Sequence, residues 1–218
     1  RDIALAGVNA YMPLYRRTKT GPEPLIEFAL RWLRENIPAG PAIICSKHQS
    51  GWETLALQEI FPLQVYVAKK ELFKLPFFFF WLKLAKTIGI DRSNRAQANT
   101  QLMAQGLARK RDGLWITIFP EGTRIPPGQR GKYRQGGARM AQMFEMDLVP
   151  VAVNSGEFWP RNSFMKYPGE ITVVIGAPIR HNSGTPEEMM AQCEHWIENQ
   201  QSQISGVGPC AAGKAKAV

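Results

Sequence analysis

At 218 residues the chain is long enough for one α/β domain with a substantial core, and too short for two domains to be the natural reading. Lys and Arg number 27 against 18 Asp and Glu, a net charge of +9, so the surface should attract phosphates, whether of nucleic acid, anionic lipid or a phosphorylated metabolite. Cys45, Cys193 and Cys210 form no paired spacing, which argues against a disulfide framework or a zinc motif and fits buried thiols in a reducing compartment.

Residues 1–24 read as an N-terminal, membrane-proximal segment. Its first fifteen residues are mildly apolar but too short to span a bilayer, and Arg16, Arg17 and Lys19 follow as a basic cluster. The chain begins with Arg1 and not Met, so the natural N-terminus is expected upstream. Pro22 and Pro24 lead into Leu25–Asn36, where Leu25, Phe28, Ala29, Trp32 and Leu33 recur at helical spacing.

The short apolar run from Ala42 to Cys45 predicts a buried strand, a polar turn with His48, Ser50 and Gly51 follows, and Trp52–Leu57 opens a helix. His48 thus stands at a strand-to-helix corner, the carboxyl edge of an open α/β sheet where ligands bind. Glu53 comes five residues later. On one continuous helix the two side chains would diverge by about 140°. With His48 in the turn and Glu53 in the first helical turn they can converge, and the carboxylate then fixes the imidazole tautomer. The plain alternative is a loop histidine beside a glutamate favoured by the helix dipole.

Leu63–Ala68 predicts a second strand, rich in β-favouring types. The segment Lys69–Lys86 then carries Phe77, Phe78, Phe79, Phe80 and Trp81 in a row, with lysines at 69, 70, 74, 83 and 86. One face of one helix cannot hide all of them, so either the block lies at an anionic membrane surface or it is the core of a larger fold. A nucleic-acid platform would need spaced aromatics, so no nucleic acid is expected as a partner.

Thr87–Arg92 predicts a short extended piece with Arg92 and Arg95 as candidate anion contacts, and Ala96–Lys110 a helix ended by Asp112-Gly113. A third strand, Leu114–Phe119, runs into Pro120-Glu121-Gly122-Thr123-Arg124, a polar turn expected at the same sheet edge as His48. Gly122 permits a tight turn or close ligand approach, Arg124 offers a planar fork for two phosphate oxygens, and Glu121 could hold that fork or bind hydroxyls. Residues 126–137, with Arg130, Lys132 and Arg134, read as a mobile basic loop over that edge.

Helix Ala138–Glu145 leads to the strand Leu148–Val153, where Pro150 argues for an edge position or a bulge. Strand Ile171–Ile175 and a helix from Pro186, capped by Thr185 and Glu188, complete a domain over residues 25–204. His181 and His195 lack partners at metal-ligand spacing, and residues 205–218 read as a disordered tail.

His48 with Glu53, then Ile-Asp-Arg92, then Phe-Pro-Glu-Gly-Thr-Arg124, then Val-Pro-Val151 resembles, in order and spacing, the four motif blocks of the glycerolipid acyltransferases, over residues 35 to 180. The chain departs from the family's usual H-x-x-x-x-D at Glu53, one methylene longer. The resemblance implies a single α/β domain with a mixed, largely parallel sheet flanked by helices. It further implies transfer of a fatty acyl group from acyl-coenzyme A or acyl carrier protein to the sn-2 hydroxyl of lysophosphatidic acid, at the cytoplasmic face of the membrane, with no cofactor and no metal. His48 and Glu53 would be the catalytic pair, and Arg92, Glu121, Gly122, Thr123 and Arg124 the acceptor site. Two rivals remain, a same-fold enzyme for another lyso-lipid such as lyso-ornithine lipid, and a non-enzymatic basic membrane-binding module.

Overall fold

The structure, a computed structural model, describes residues 6–8, 37–74, 76–90 and 95–213. The expected helix at 25–36 and Arg92 lie outside the described residues, as does most of the N-terminal segment. Seven strands form one sheet: β1 (Ala6–Val8), β2 (Ile43–Ser46), β3 (Gln64–Lys69), β4 (Ile88–Ile90), β5 (Trp115–Ile118), β6 (Leu148–Val153) and β7 (Ile171–Ile175). Five α-helices accompany them among the described residues: α1 (Glu53–Ile60), α2 (Pro76–Leu84), α3 (Arg95–Arg111), α4 (Gly136–Phe144) and α5 (Pro186–Ile204). None of the described helices is long and apolar enough to cross a membrane.

Spatial strand order is β1-β7-β6-β2-β5-β3-β4. β2 pairs in parallel with both β5 and β6, β3 in parallel with β5 and β4, and only β7 runs antiparallel to its neighbours β6 and β1. The mixed, largely parallel sheet expected from the sequence is therefore the architecture observed. From β2 the chain crosses through α1 toward β3, whereas from β5 it crosses through α4 to β6 on the other side of β2. Adjacent strands β2 and β5 thus send their connections in opposite directions, which opens a crevice between their carboxyl ends.

Both sheet faces are covered, which explains why the central strands read as continuous apolar runs and not as alternating ones. Ile43 and Cys45 of β2 point into one core with Ile116, Ile118, Phe144, Met189, Cys193 and Ile197. Ala42 and Ile44 point into the other with Trp52, Leu57, Phe61, Val151 and Val173. Burial and a contact with Cys193 push the Cys45 thiol well above its ordinary pKa, so it is a neutral packing group. Helix α5 starts as its sequence predicts: Thr185 accepts from the Glu188 amide at 3.2 Å while the Glu188 carboxylate accepts from the Thr185 amide at 2.8 Å.

One expectation is narrowed and one corrected. Of the edge or bulge expected at Pro150 the structure shows the bulge, since the strand is interior and its six residues are all buried. The Pro150 carbonyl accepts from Gly176 N at 2.9 Å, so the absent N–H faces the β7 side just beyond Ile175, where the ladder has ended and pairing resumes only at Leu148 with Ile179. A proline is tolerated there because the register slips beside it: three steps along β6, 148 to 151, face four along the partner, 175 to 179, which is a bulge. Residues 205–213, read as part of a disordered tail, are instead docked. The buried Glu157 carboxylate accepts from the amides of Gly206, Val207 and Gly208 at 2.7, 3.1 and 2.7 Å, the Glu157 carbonyl accepts from Cys210 N at 2.9 Å, and Ala211 is buried. A carboxylate filled by successive backbone amides orders a sequence whose composition alone suggests none.

Asp147, just before β6, accepts from the His181 amide and from His181 Nδ1, each at 3.0 Å, and from Arg180 at 3.2 Å. Partial burial pushes its pKa up, but the His181 hydrogen bonds and the Arg180 charge outweigh this and hold it below the ordinary carboxylate value. A depressed folded-state pKa contributes stability that is present above the unfolded value of about 3.9 and is lost as pH falls through the folded one. Asp147→Asn should therefore lower the thermal midpoint at pH 7, and the gap from the parent should close as the scan is repeated at and below about pH 4.

Candidate active site

The last bonds of β2 set the direction of the turn that follows. Lys47 N donates to Val151 O at 2.9 Å, and the carbonyl of His48 accepts from Ile125 N at 2.8 Å, which ties the turn to β6 on one side and to the segment after β5 on the other. Ser50 Oγ then accepts from Trp52 N at 3.1 Å and Thr54 Oγ1 donates to Gly51 O at 2.6 Å, so α1 begins at Glu53.

Because Glu53 opens the helix, its side chain can reach back over the turn. One oxygen accepts from Gln49 N at 3.1 Å, from Ser50 N at 2.9 Å and from the Ser155 hydroxyl, which comes from the turn after β6. The other accepts from Ser50 N at 3.1 Å and stands 3.1 Å from His48 Nδ1. An ionised carboxylate is an acceptor only, so this contact keeps the imidazole proton on Nδ1 and leaves the Nε2 lone pair free. Glu53 is wholly buried, whereas the His48 side chain retains 17% of its exposure. The extra methylene of glutamate does not prevent the pair from meeting.

The ring of His48 stacks on Phe119, with centroids 3.8 Å apart and planes 14° from parallel. Tyr66 lies behind Phe119, and its hydroxyl donates to the carbonyl of Thr54 at 3.0 Å. Burial first, and the Glu53 charge second, raise the Tyr66 pKa well above its ordinary value, so that hydroxyl stays a neutral donor. The imidazole is thus held by a carboxylate at one nitrogen and by an aromatic face.

Glu121 departs from its expected role as a substrate ligand. Its side chain points inward, has no exposed surface, and accepts from Lys47 Nζ at 2.8 Å, from the His48 amide at 3.3 Å and from Gly131 N at 3.0 Å. The reason is Lys47, a lysine only 1% exposed that needs anionic partners. Its ammonium also donates to Glu198 of α5 at 2.8 Å and to Gln129 O at 3.3 Å, and Tyr133 completes the cluster by donating to Glu198 at 2.7 Å. Glu121 therefore braces the turns after β2 and β5 against each other.

The rest of the expected acceptor site is open. Gly122 has φ +70°, a left-handed conformation that glycine adopts without strain, and its amide donates to Phe119 O at 3.0 Å. Thr123 is exposed beside it, and the guanidinium of Arg124, half-buried, has no partner among the described residues. The basic loop expected to be mobile is anchored: Tyr133 is buried, Arg130 pairs with Glu194 at 2.6 Å, and Arg134 N donates to Pro120 O at 3.1 Å. Lys132 and the Arg134 side chain remain exposed. Among the described residues no cluster of His, Cys, Asp and Glu has the geometry to hold a metal ion.

Sequence reasoning missed Lys47, Ser155 and Glu198. Lys47 stands next to His48, but nothing in its neighbourhood signals partners 74 and 151 residues away. Removing its ammonium strands two carboxylates in a buried site, so Lys47→Met should cost about 3–5 kcal/mol of folding stability in denaturant titration. The double change Lys47→Met with Glu121→Gln should recover a good part of that loss.

With this geometry in hand, comparison with known proteins is direct. A family model described as Acyltransferase matches residues 32–154. A 1-acyl-sn-glycerol-3-phosphate acyltransferase of Pseudomonas aeruginosa is 43% identical over 186 residues, covering 84% of this chain and 72% of the relative. The Bacillus subtilis protein of the same name is 31% identical over 150 residues, covering 67% and 71%. The chain spans about half the length of several eukaryotic relatives that it matches. The crystal structure of the 1-acyl-sn-glycerophosphate (LPA) acyltransferase PlsC from Thermotoga maritima superposes with a TM-score of 0.66 at 21% identity, over 82% of this chain and 76% of that one, and so shares the fold. The family model spans β2, β5 and β6 with the turns that carry His48, Glu53 and Arg124, and on that match the chain belongs to the acyltransferase family.

Proposed function

We propose that the protein transfers a fatty acyl group from the thioester of acyl-coenzyme A or acyl carrier protein to the sn-2 hydroxyl of 1-acyl-sn-glycerol 3-phosphate, giving phosphatidic acid at an anionic membrane surface. The observation that carries this reading is one sheet edge with His48, its proton held on Nδ1 by a buried carboxylate, and Arg124, a planar cation with no side-chain partner among the described residues, on the two turns that flank one crevice. The acceptor follows the Pseudomonas and Bacillus relatives, both 1-acyl-sn-glycerol-3-phosphate acyltransferases.

In this reading the lone pair of His48 Nε2 takes the proton of the acceptor hydroxyl as its oxygen attacks the thioester carbon. The imidazolium so formed is stabilised across 3.1 Å by Glu53, which carries its negative charge already and does not need to take the proton. Collapse of the tetrahedral intermediate breaks the carbon–sulfur bond, and Nε2 returns the proton to the departing thiolate. No covalent acyl-enzyme is required. Arg124 grips the acceptor phosphate through two parallel N–H bonds, with the Gly122 turn letting the headgroup approach the backbone, and Thr123 stands within the same turn. Arg92 is proposed as a second phosphate contact. Holding the acceptor beside the thioester lowers the barrier by several kcal/mol, on the order of what orientation supplies in other two-substrate sites.

Expected outcomes follow for the pair and for the fork. His48→Ala should reduce turnover by a factor on the order of 10²–10⁴, the usual worth of a positioned general base, and Glu53→Gln should approach that loss because an amide can present a donor to Nδ1 and reverse the tautomer. Thiol release from acyl-coenzyme A, followed with and without lysophosphatidic acid, reads both. A trapped acyl-serine at Ser46 or Ser50 would overturn direct attack, and faster release with a lyso-ornithine lipid would change the acceptor. Arg124→Lys keeps the charge and loses the fork, so the acceptor KM should rise well above the parent's while the donor KM changes little. An equal rise in both would remove Arg124 from the phosphate site.

A further inference from the structure

The chain between β6 and β7 leaves the sheet at the same edge as His48, and it presents an apolar tip that no packing explains. Phe164 is 100% exposed and Met165 62% exposed. The loop that carries them is nonetheless closed by its own bonds: Ser163 N donates to Pro160 O at 3.2 Å, Trp159 Nε1 to Ser163 O at 3.0 Å, Met165 N to Ser163 Oγ at 3.1 Å, and Tyr167 N to Phe158 O at 2.8 Å. Its root is fixed to the active-site turns. Arg161 donates to the carbonyl of Arg124 at 3.2 Å, and the Trp159 ring lies so close to Gly51 that a Cβ there would stand 3.7 Å from it. Lys166 sits over the Trp159 ring, 4.5 Å from its centroid.

A second apolar patch follows β3 from that edge. On α2, Phe79, Phe80 and Leu84 are 41%, 63% and 64% exposed, and Lys83 covers Phe79 at 4.6 Å. Strand order decides how the two patches relate. β6 and β3 lie on either side of the β2–β5 pair, three strand spacings or about 14 Å apart, so the loop after β6 and the connection that holds α2 belong to opposite sides of that pair. An apolar tip flanked by Arg161 and Lys166, on a loop rooted at the active-site turns of a chain of net charge +9, matches a flat and negatively charged partner better than it matches a pocket on another protein.

We propose that the loop at residues 160–167 is a bilayer-docking finger: Phe164 and Met165 enter the interface of an anionic membrane while Arg161 and Lys166 meet its headgroups, which sets the turns of His48 and Arg124 beside the lipid surface. Docking stands apart from the acyl-transfer reading, and only its effect on turnover rests on it. The test uses the whole chain and co-sedimentation with vesicles of mixed phosphatidylglycerol and phosphatidylcholine, beside vesicles of phosphatidylcholine alone. Phe164→Ser combined with Met165→Ser should weaken binding to the mixed vesicles about tenfold or more, with no change in circular dichroism or thermal midpoint, since neither side chain packs in the fold. Lys166→Gln should weaken it about fivefold at low salt and less at high salt. Acyl transfer to a short-chain acceptor below its micelle concentration should be unaffected in the double variant, while transfer to vesicle-embedded acceptor should fall in step with binding. If no variant transfers acyl groups, the functional reading fails while sedimentation still decides the docking. A folded double variant that binds mixed vesicles as tightly as the parent would overturn the inference, as would a parent that binds neither kind of vesicle.

Discussion

The carboxylate of Glu53 is the contact on which the site depends. It is fully buried, and a buried charge is tolerated only where its lone pairs are met. Here they are met from three places at once: the turn after β2 through the amides of Gln49 and Ser50, the turn after β6 through Ser155, and the imidazole of His48. The same oxygens that hold the histidine therefore also hold α1 and β6 in register with β2. His48 has little freedom to adopt another rotamer, because its second restraint is the face of Phe119. Preorganisation of the base is a by-product of satisfying one acid.

The adjacent residue works on the opposite face. An extended chain sends successive side chains to opposite sides, so where His48 turns toward α1, Lys47 turns toward α5 and Tyr133. Its two carboxylate partners and one lysine leave the cluster with net negative charge, which burial and the Glu121 charge express in a Tyr133 pKa far above the ordinary value. The basic loop is anchored through this cluster: Gly131 donates to Glu121 and the Gln129 carbonyl accepts from Lys47. The positive residues Lys132 and Arg134 are thus carried on backbone that is pinned from below.

Sheet topology explains why these turns meet. β2 and β5 are neighbours in space, though some seventy residues apart in sequence, and their connections leave in opposite directions, which leaves a crevice between their carboxyl ends. The loop after β6 is tied to both turns, through Arg161 to the Arg124 carbonyl and through the Trp159 ring beside Gly51. A site assembled in this way takes one or two residues from each of several turns, each positioned by a strand.

Much of this was legible in the chain itself. The apolar runs at 43–46, 115–118 and 148–153 are short, continuous and β-branched, which is what strands covered on both faces require, and Thr185 with Glu188 announces α5 because a capping box is a purely local device. His48 and Glu53 could be paired on paper because only five residues separate them. What sequence could not decide were contacts between residues far apart along the chain. Glu121 looked like a ligand and proved to be a brace, since its orientation is set by a lysine 74 residues away. Pro150 could mark an edge or a bulge, and only the register of β6 against the chain after β7 decides for the bulge. The tail at 205–213 looked disordered and is ordered, since Glu157 offers its glycines a buried carboxylate. Local hydrogen bonds and periodicity are written in neighbouring residues and survive a reading in one dimension. The partner of a buried charge, or the exposure of Phe164, is fixed only once the sheet has brought distant segments together.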